Sequence, residues 1–346
     1  MIRVSRGTET ERLRRERRHR LSRAILTWQE NEAVDFEGYG VARAQLADRL
    51  NHKCIYCECW LRVEGNPVEH FRPKAHVQNK GEPRDEERYW WLAWSWENLL
   101  FACGRCNSSY KRNQFPLQPG TPPLPPLSFD LDSESPLLVD PAREDPRAHI
   151  RFKWSDTRKR WLPVAKSLKG QQTIEALGLD DDDKPTDHLA RPLIKDALDD
   201  IESAVRRKRK RGVQAAWNKA LKSLFAPKEP FHAVTWDAMD ARFPESERRK
   251  YGVALPVLGD HTPVPPSLPF DPADDPPALA ALPDALKVHV RANPPHASKE
   301  EKMAALRALL AHKPFDDEEL ADFFDLRKST IQGYRRELRK PAAKAP

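Results

Sequence analysis

The sequence predicts an α+β protein in which a small, zinc-stapled core of short strands is surrounded by helices. Two Cys-x-x-Cys pairs, Cys54 with Cys57 and Cys103 with Cys106, supply four thiolates. Four thiolates in two such knuckles are the ligand set of a closed, tetrahedral, structural zinc site. Short apolar runs bounded by turn residues lie between the two pairs, and long amphipathic stretches lie on both sides. Zinc would hold the two ends of this segment together and fix the geometry of what lies between them.

Length and cysteine usage limit the class of protein. A chain of 346 residues is long enough for two or three domains with their own cores. It has no apolar run long enough to span a membrane, and its basic N-terminus lacks the apolar region of a secretory signal. Four of the five cysteines stand in metal-binding pairs, which is typical of a reducing compartment. We therefore expect a cytoplasmic protein with no membrane partner.

The fifth cysteine, Cys59, follows the first pair closely. One interpretation is a partly buried free thiol. The other is an auxiliary or exchanged zinc ligand. The sequence leaves both interpretations open.

The net charge of +7 is unevenly distributed, with two runs of basic residues. The first run contains Arg12, Arg14, Arg15, Arg17, Arg18, Arg20 and Arg23, and the second is the unbroken block Arg206, Arg207, Lys208, Arg209, Lys210 and Arg211. Each run is either a solvated helix face or a surface for the phosphates of a nucleic acid. Glu9, Glu11 and Glu16 can offset the first run, whereas the second block contains no acid.

Apolar periodicity predicts helices over residues 9–30 and 39–50, ahead of the first cysteine pair. Residues 61–63 and 68–71 flank a Gly-Asn turn signal, which predicts a short β-hairpin. Four tryptophans crowd residues 90–96. They form either a core or a stacking surface, and their large burial area favours the core.

The elements after the second cysteine pair follow from the same patterns. Residues 116–127 and 262–283 are proline-rich and are predicted as linkers. The remaining predictions are a hairpin with strands near 149–154 and 161–165 and helices at 170–177, 187–224, 298–312 and 316–340. The last helical stretch has the pattern of a helix-turn-helix, which is either a DNA-binding module or a packing element.

These elements group into five predicted segments. They are basic N-terminal helices (1–50), a core with zinc knuckles (51–116), an accessory hairpin and helices (117–225), an irregular proline-rich region (226–283) and a C-terminal helical region with a possible helix-turn-helix (284–346).

The residues between and just after the cysteine pairs resemble a known family. Glu69-His70 and Asn98-Leu99 stand between the pairs, and Asn107 and Lys111 follow the second pair. This order resembles the HNH nucleases, which have the ββα-metal fold. The strings EHFRPK, WLAWSWENLLFACGRCN and KRNQFPL resemble the HNH subunits of Septu and retron-type anti-phage systems. The resemblance is specific over residues 54–111 and weaker to about residue 225.

The resemblance implies a catalytic role for four of these residues. His70 would be the general base, because a neutral imidazole can take a proton from water near neutral pH. Asn98 would brace the loop that carries His70 through its side-chain amide. Asn107 and Glu69 would ligate a catalytic Mg²⁺ or Mn²⁺. HNH domains commonly carry Asp in the position of Glu69. Direct coordination of the cation by Glu69 would therefore have to use a side chain that is one methylene longer.

Three cations near these residues are predicted to bind substrate. Arg72, Lys74 and Lys111 are close in sequence to the predicted catalytic groups. A guanidinium can hold a phosphate with two parallel hydrogen bonds, and an ammonium acts as a point charge.

The predicted activity is metal-dependent hydrolysis of phosphodiester bonds in nucleic acid, with DNA as the favoured substrate and a role in anti-phage defence. Two alternatives remain open: a nuclease that cleaves RNA or tRNA, and a non-catalytic, zinc-ribbon-like module that binds nucleic acid. The chain has no P-loop motif, so we do not expect it to hydrolyse ATP. By resemblance alone, an ATPase subunit of a defence complex is a possible partner.

Overall fold

The structure is a computed structural model that describes residues 1–182, 186–260, 262, 284–291, 298–312, 314–324 and 326–339. The chain forms two compact units. The first comprises Met1–Thr8, Gly40–Ala93 and Glu97–Pro265, and the second comprises Glu9–Tyr39, Trp94–Trp96 and Pro266–Pro346. Both units are built from stretches that are far apart in the sequence. The proline-rich stretch predicted at 262–283 lies, apart from Thr262, outside the described residues.

The described part of the chain combines small sheets with many helices, which agrees with the predicted mixture of α and β structure. The strands are β1 (Val68–His70), β2 (Leu99–Phe101), β3 (Ile150–Ser155) and β4 (Arg160–Ala165). The helices are α1 (Glu11–Gln29), α2 (Arg43–Arg49), α3 (Leu168–Leu177), α4 (Thr186–Arg206), α5 (Lys210–Leu224), α6 (His232–Arg242), α7 (Glu245–Tyr251), α8 (Asp284–Arg291), α9 (Lys299–His312), α10 (Asp317–Phe324) and α11 (Lys328–Leu338). Short 3-10 turns cover Tyr39–Ala42, Trp90–Leu92, Trp96–Asn98 and Pro146–Ala148, and a π-helix covers Arg105–Lys111.

The first sheet differs from the predicted hairpin. Strand β1 pairs antiparallel with β2, with His70 opposite Leu99, and residues 61–63 form no strand. The backbone N–H of Leu61 instead donates to the carbonyl of His52 at 2.7 Å, so this segment folds back on the chain before the first cysteine pair. Ile55 N–H donates to the carbonyl of Phe101 at 3.0 Å, which joins the first knuckle to the end of β2. The prediction that residues 61–63 pair with β1 was wrong. The two cysteine knuckles bring β2, which is distant in the sequence, next to β1.

The second sheet and the helices after it complete the first unit. Strands β3 and β4 pair antiparallel from Ile150 opposite Ala165 to Ser155 opposite Arg160, which confirms the predicted hairpin. The predicted helix 187–224 is two helices, α4 and α5, which contact each other through a shared apolar cluster containing Ile201 and Trp217. The chain breaks between them at Lys208, whose φ is +52°.

The four crowded tryptophans are core residues. Trp90, Trp91, Trp94 and Trp96 are each at most 4% exposed, which confirms burial over a stacking surface. The indole N–H of Trp91 donates to the carbonyl of Ser128 at 2.7 Å, so burial leaves that polar atom satisfied.

The second unit joins α1 to the C-terminal helices. Helix α1 begins after Thr10, whose side chain caps the N–H of Leu13, and α1 contacts α8. A buried cluster that includes Leu306, Leu309 and Phe324 packs α9, α10 and α11 together. Among the described residues, no helix is both long and apolar enough to cross a membrane.

Candidate metal centre and active site

The four paired cysteines lie together. The Sγ atoms of Cys54, Cys57, Cys103 and Cys106 are all within 4.8 Å of one another. Cys57 Sγ lies 3.9 Å from Cys103 Sγ. A tetrahedral zinc ion with bonds of about 2.3 Å holds its sulfurs about 3.8 Å apart, so the spacing fits a metal such as zinc. Hydrogen bonds among the neighbouring thiols, with that of Cys106 first, lower the pKa of Cys103, and the hydrogen bond to Cys103 in turn raises the pKa of Cys57.

Backbone contacts within the two knuckles fix this cluster. The N–H of Cys106 points at the sulfur of Cys103 at 3.3 Å, and the N–H of Cys103 points at the sulfur of Cys54 at 3.4 Å. Such N–H···S contacts orient thiolate ligands and offset their charge. Cys59 is buried, its Sγ is 3.3 Å from that of Cys57, and its carbonyl accepts from Cys54 N–H at 2.9 Å. It lies outside the group of four, an arrangement that favours the free-thiol interpretation over that of a zinc ligand.

His70 ends strand β1 with its ring fixed by a backbone carbonyl. Nε2 of His70 lies 2.9 Å from the carbonyl oxygen of Ala93. A carbonyl only accepts, so Nε2 carries the proton and Nδ1 carries the lone pair of the neutral ring. Burial lowers the pKa of His70 to about 3 against the opposing effect of the Ala93 hydrogen bond, and the charges of Lys74 and Lys111 also lower it. The ring is therefore held neutral, in one tautomer, at the end of a strand.

Glu69 engages a buried lysine. Its Oε1 lies 2.8 Å from Nζ of Lys111 and accepts from the hydroxyl of Tyr56 at 3.2 Å. Both members of the ion pair are at most 2% exposed. Nζ of Lys111 also donates to the carbonyl of His70 at 2.9 Å. Burial raises the pKa of Glu69, and the charge of Lys111 opposes this rise.

These contacts bear on two predicted roles. The carboxylate of Glu69 is engaged by Lys111, which does not favour its role as a ligand of the catalytic cation. Lys111 is buried against β1, which does not favour phosphate contact. Its position instead clamps the π-helix to the strand that carries His70. Cation binding by Glu69 and phosphate binding by Lys111 stay predictions.

Asn98 lies where a bracing residue would lie. Its Oδ1 accepts from the backbone N–H of Arg72 at 2.7 Å, and its Nδ2 donates to the carbonyls of Arg72 at 3.0 Å and Leu92 at 3.1 Å. The side chain is fully buried. Three buried hydrogen bonds therefore tie the segment just after His70 to the 3-10 turn Trp90–Leu92, next to Ala93.

Arg72 lies in a buried ion pair. Its Nε is 2.6 Å from Oε1 of Glu134, and it is 1% exposed. The guanidinium lies 5.3 Å from the ring centroid of Phe115. Glu134 also accepts from the hydroxyl of Tyr89 at 3.0 Å and from the N–H of Leu124 at 3.0 Å. This placement favours positioning of the segment after His70 over contact with a phosphate, and the predicted phosphate contact stays a prediction.

The remaining predicted residues are more accessible. Lys74 is half-buried and close enough to His70 for its charge to lower the pKa of the imidazole. Asn107 is half-buried in the π-helix, where its backbone carbonyl accepts from Arg112 N–H at 2.7 Å. The role of Lys74 in phosphate binding and that of Asn107 in metal binding stay predictions. Among the described residues, the four cysteines are the one group of three or more Cys, His, Asp or Glu placed to share a metal.

Three groups of this site are absent from the predictions made on sequence. Ala93 contributes only a backbone carbonyl, which no sequence pattern reveals. Glu134 lies far along the chain, in a polar stretch with no motif. Tyr56 stands inside the first Cys-x-x-Cys pair, so its closeness to the cysteine cluster could have suggested a structural role.

Comparison with known proteins finds relatives over part of the chain. It is 35% identical over 139 residues to the Septu protein PtuB of Bacillus mycoides (strain KBAB4), which covers 37% of this chain and 44% of that protein. It is 30% identical over 141 residues to the Septu protein PtuB of Bacillus thuringiensis, which covers 40% of this chain and 41% of that protein. It is 27% identical over 131 residues to the Septu protein PtuA of Bacillus mycoides (strain KBAB4), which covers 38% of this chain and 18% of that protein.

These matches are to proteins named for one system, and their extent is limited. The chain spans less than half the length of each of these curated relatives. No family model matches the chain, and no solved structure matches it significantly.

Proposed function

We propose that this chain is a metal-dependent endonuclease of the HNH type that acts in an anti-phage defence system of the Septu kind. The observation that carries the proposal is His70, a neutral histidine whose Nε2 is fixed by the carbonyl of Ala93 on a strand braced by Asn98. The similarity to the two PtuB proteins supports the role in defence.

In the proposed reaction, Nδ1 of His70 takes a proton from a water molecule while the water oxygen attacks phosphorus. The P–O bond to the leaving oxygen breaks as the new bond forms, and the leaving oxygen takes a proton from solvent. A bound phosphate is an anion, and its charge would raise the pKa of His70 towards the range in which general-base catalysis is efficient. The fixed tautomer ensures that the lone pair is on Nδ1 before substrate arrives.

A divalent cation would neutralise charge at the phosphate and at the leaving oxygen when bound. Asn107 would supply an amide oxygen to it. Glu69 is less suited as a ligand of this cation, because its carboxylate already pairs with Lys111. Lys74 would hold a phosphate oxygen, while Arg72 and Lys111 would act through the positions of the segments they clamp.

The four-cysteine cluster would hold a structural zinc ion. Four thiolate ligands would leave such a zinc ion no position for substrate, so this metal would staple the fold and take no part in the reaction. The same knuckles would also serve the alternative function, a non-catalytic module that binds nucleic acid. Such a module has no use for a buried His70 with a fixed tautomer, and this observation favours the nuclease.

Substrate and partner follow from the same proposal. DNA is the favoured substrate, and RNA or tRNA is the alternative. The chain is similar to both a PtuB and a PtuA protein, which supports assembly with another subunit of such a system. We propose that this partner is the ATPase, since this chain lacks a P-loop motif.

The test is cleavage by the full, zinc-loaded chain of plasmid DNA, single-stranded DNA and total tRNA, each across a Mg²⁺ titration. His70→Ala should lower the rate by about 10²–10⁴-fold, the contribution typical of a general base. His76→Ala is the matched control, because His76 lies in the same segment but contacts Asn113 and has no part in the proposed reaction. Asn107→Ala should raise the Mg²⁺ concentration needed for half-maximal rate. Wild-type cleavage by His70→Ala, or no cleavage of any substrate by the wild type, would contradict the proposal.

A further inference from the structure

The turn between α4 and α5 carries the unbroken basic block of the sequence. Residues 206–211, called here the basic tip, contain Arg206, Arg207, Lys208, Arg209, Lys210 and Arg211. All six side chains are exposed. Helix α4 ends at Arg206 and α5 begins at Lys210, so the tip spans the last residue of one helix, the turn and the first two residues of the next.

The packing of the helical pair fixes where the tip points. Val213 and Trp217 on α5 are buried, and Trp217 shares a cluster with Ile201 of α4. Lys219 of α5 pairs with Asp200 of α4 at 2.8 Å, so the two helices run back along each other away from the turn. The apolar side of the pair is thus used for packing, and the polar turn is left at its end.

The charges of the tip have almost no counter-charge in the protein. Arg206 lies 3.8 Å from Glu202, and the other five residues form no ion pair with any described residue. The sequence from Ser203 to Lys228 contains no acidic residue. The charges therefore repel one another and attract mobile anions from solution.

The basic run on α1 is a contrast within the same chain. Arg15 pairs with Glu11, Arg17 pairs with Glu9 at 3.0 Å in a buried contact, and Arg20 lies 3.4 Å from Glu16. That run is therefore partly neutralised by the protein itself. The tip is the run that stays available for an external polyanion.

We propose that the basic tip is a docking surface for the phosphate backbone of nucleic acid, built from residues other than those of the His70 site. This inference rests on the proposed function for its partner and deepens it by naming a second surface that holds the substrate. Duplex DNA carries one negative charge per about 1.7 Å of its axis, so a cluster of arginines and lysines on one turn can meet several phosphates at once. No apolar side chain belongs to the tip, which favours nucleic acid over insertion into a lipid surface. Binding at the tip is sequence-independent, because phosphates carry no base information.

The test compares two variants of the full chain that each lose four positive charges. The tip variant is Arg207→Gln, Lys208→Gln, Arg209→Gln and Lys210→Gln. The control variant is Lys195→Gln, Arg249→Gln, Lys250→Gln and Lys328→Gln, which removes exposed helical cations that already pair with acids. Both variants have a net charge of +3, from +7 less 4. Binding of a labelled duplex is followed by fluorescence anisotropy over a range of salt concentrations without added Mg²⁺, with the probe checked for integrity.

The tip variant should bind at least about tenfold more weakly at low salt, and the slope of log K against log salt should fall by about 0.9 for each phosphate that the protein no longer neutralises. The control variant should keep most of the affinity and slope of the wild type. A double variant, Arg209→Gln with Lys210→Gln, should fall between them, and this graded response is independent of any folding defect in the fourfold variant. At saturating duplex with Mg²⁺, the tip variant should cleave at the wild-type rate, because His70 is untouched.

The other outcomes separate the two proposals. Equal binding by tip variant and wild type, with cleavage intact, would overturn the tip proposal and leave the nuclease standing, and an acidic protein would then be the partner to seek for the tip. Equal losses in the tip and control variants would overturn it as well, since only total charge would matter. Tip-dependent binding without cleavage by the wild type would support the tip and contradict the nuclease. No binding of the duplex by the wild type would overturn the tip proposal, whereas the nuclease is contradicted only if plasmid DNA, single-stranded DNA and tRNA are all left uncleaved.

Discussion

The side-chain amide of Asn98 forms hydrogen bonds with both the backbone N–H and the backbone carbonyl of Arg72. It accepts the N–H of Arg72 at 2.7 Å and donates to the carbonyl of the same residue at 3.0 Å. Its second donor bond reaches Leu92, one residue before the Ala93 whose carbonyl holds His70. One buried side chain thus links the segment after His70 to the turn that fixes the ring of His70.

We expect Asn98→Ala to lose both stability and activity. The change leaves the N–H and carbonyl of Arg72 buried without a hydrogen-bond partner. Each unsatisfied group should lower the free energy of unfolding by about 1–3 kcal/mol. Asn98→Asp keeps the acceptor for the Arg72 N–H, but it places a buried carboxylate against the carbonyl oxygens of Arg72 and Leu92 with no counter-charge. Urea unfolding and cleavage rates should therefore rank wild type above Ala and Ala above Asp. An Ala variant with wild-type stability would show that these hydrogen bonds do not brace the segment.

Removal of the metal should unfold the core around the cysteines. Cys103→Ser takes one ligand from the cluster, and folding of such small cores is coupled to metal binding. Metal analysis should give about one zinc per wild-type chain and a loss in the variant, with a lower thermal midpoint. Cys59→Ser is the matched control and should keep the full zinc content. Zinc loss in the Cys59 variant would make Cys59 a ligand, and a well-folded wild type without zinc would contradict the site altogether.

The sequence predicted the cysteine cluster and the buried tryptophans, but not the pairing of β1. Cysteine spacing is a local signal with few structural solutions, and so is a dense run of tryptophans. Strand pairing depends on which segments the knuckles bring together, and the predicted hairpin at residues 61–63 was wrong because the chain there pairs with His52. Charge and motif order could not predict that Arg72 and Lys111 are buried, because their partners Glu134 and Glu69 are fixed by the tertiary fold.

The buried pair of Glu69 and Lys111 should contribute to stability, whether or not Glu69 also meets a cation. Lys111→Met leaves the Glu69 carboxylate buried without a counter-charge, and loss of one partner of such a pair costs about 3–5 kcal/mol. The double variant Glu69→Leu with Lys111→Met should recover much of that loss, since an apolar pair of similar volume needs no counter-charge. Guanidinium unfolding in the presence of zinc measures both. If Glu69→Gln instead leaves the unfolding free energy unchanged and raises the Mg²⁺ requirement, the carboxylate acts on the cation.

The ion pair of Arg72 and Glu134 provides the last prediction. Glu134 receives three donors, from the Arg72 guanidinium, the Tyr89 hydroxyl and the Leu124 N–H, so its carboxylate organises a buried network. Glu134→Gln keeps the shape but leaves the guanidinium without its counter-ion, and the expected loss is about 3–5 kcal/mol. Tyr89→Phe is the control that removes one hydrogen bond and should cost about 1 kcal/mol.

The effect of Glu134→Gln on cleavage separates positioning from phosphate binding. If Arg72 acts by holding the segment after His70, the variant should lower kcat with little change in KM, measured at a temperature where the variant is still folded. If Arg72 instead leaves Glu134 to hold a phosphate, removal of its buried partner should free the guanidinium and lower KM. A stable Glu134→Gln variant with unchanged kcat and KM would contradict both roles, because the pair would then be dispensable for the fold and for the reaction.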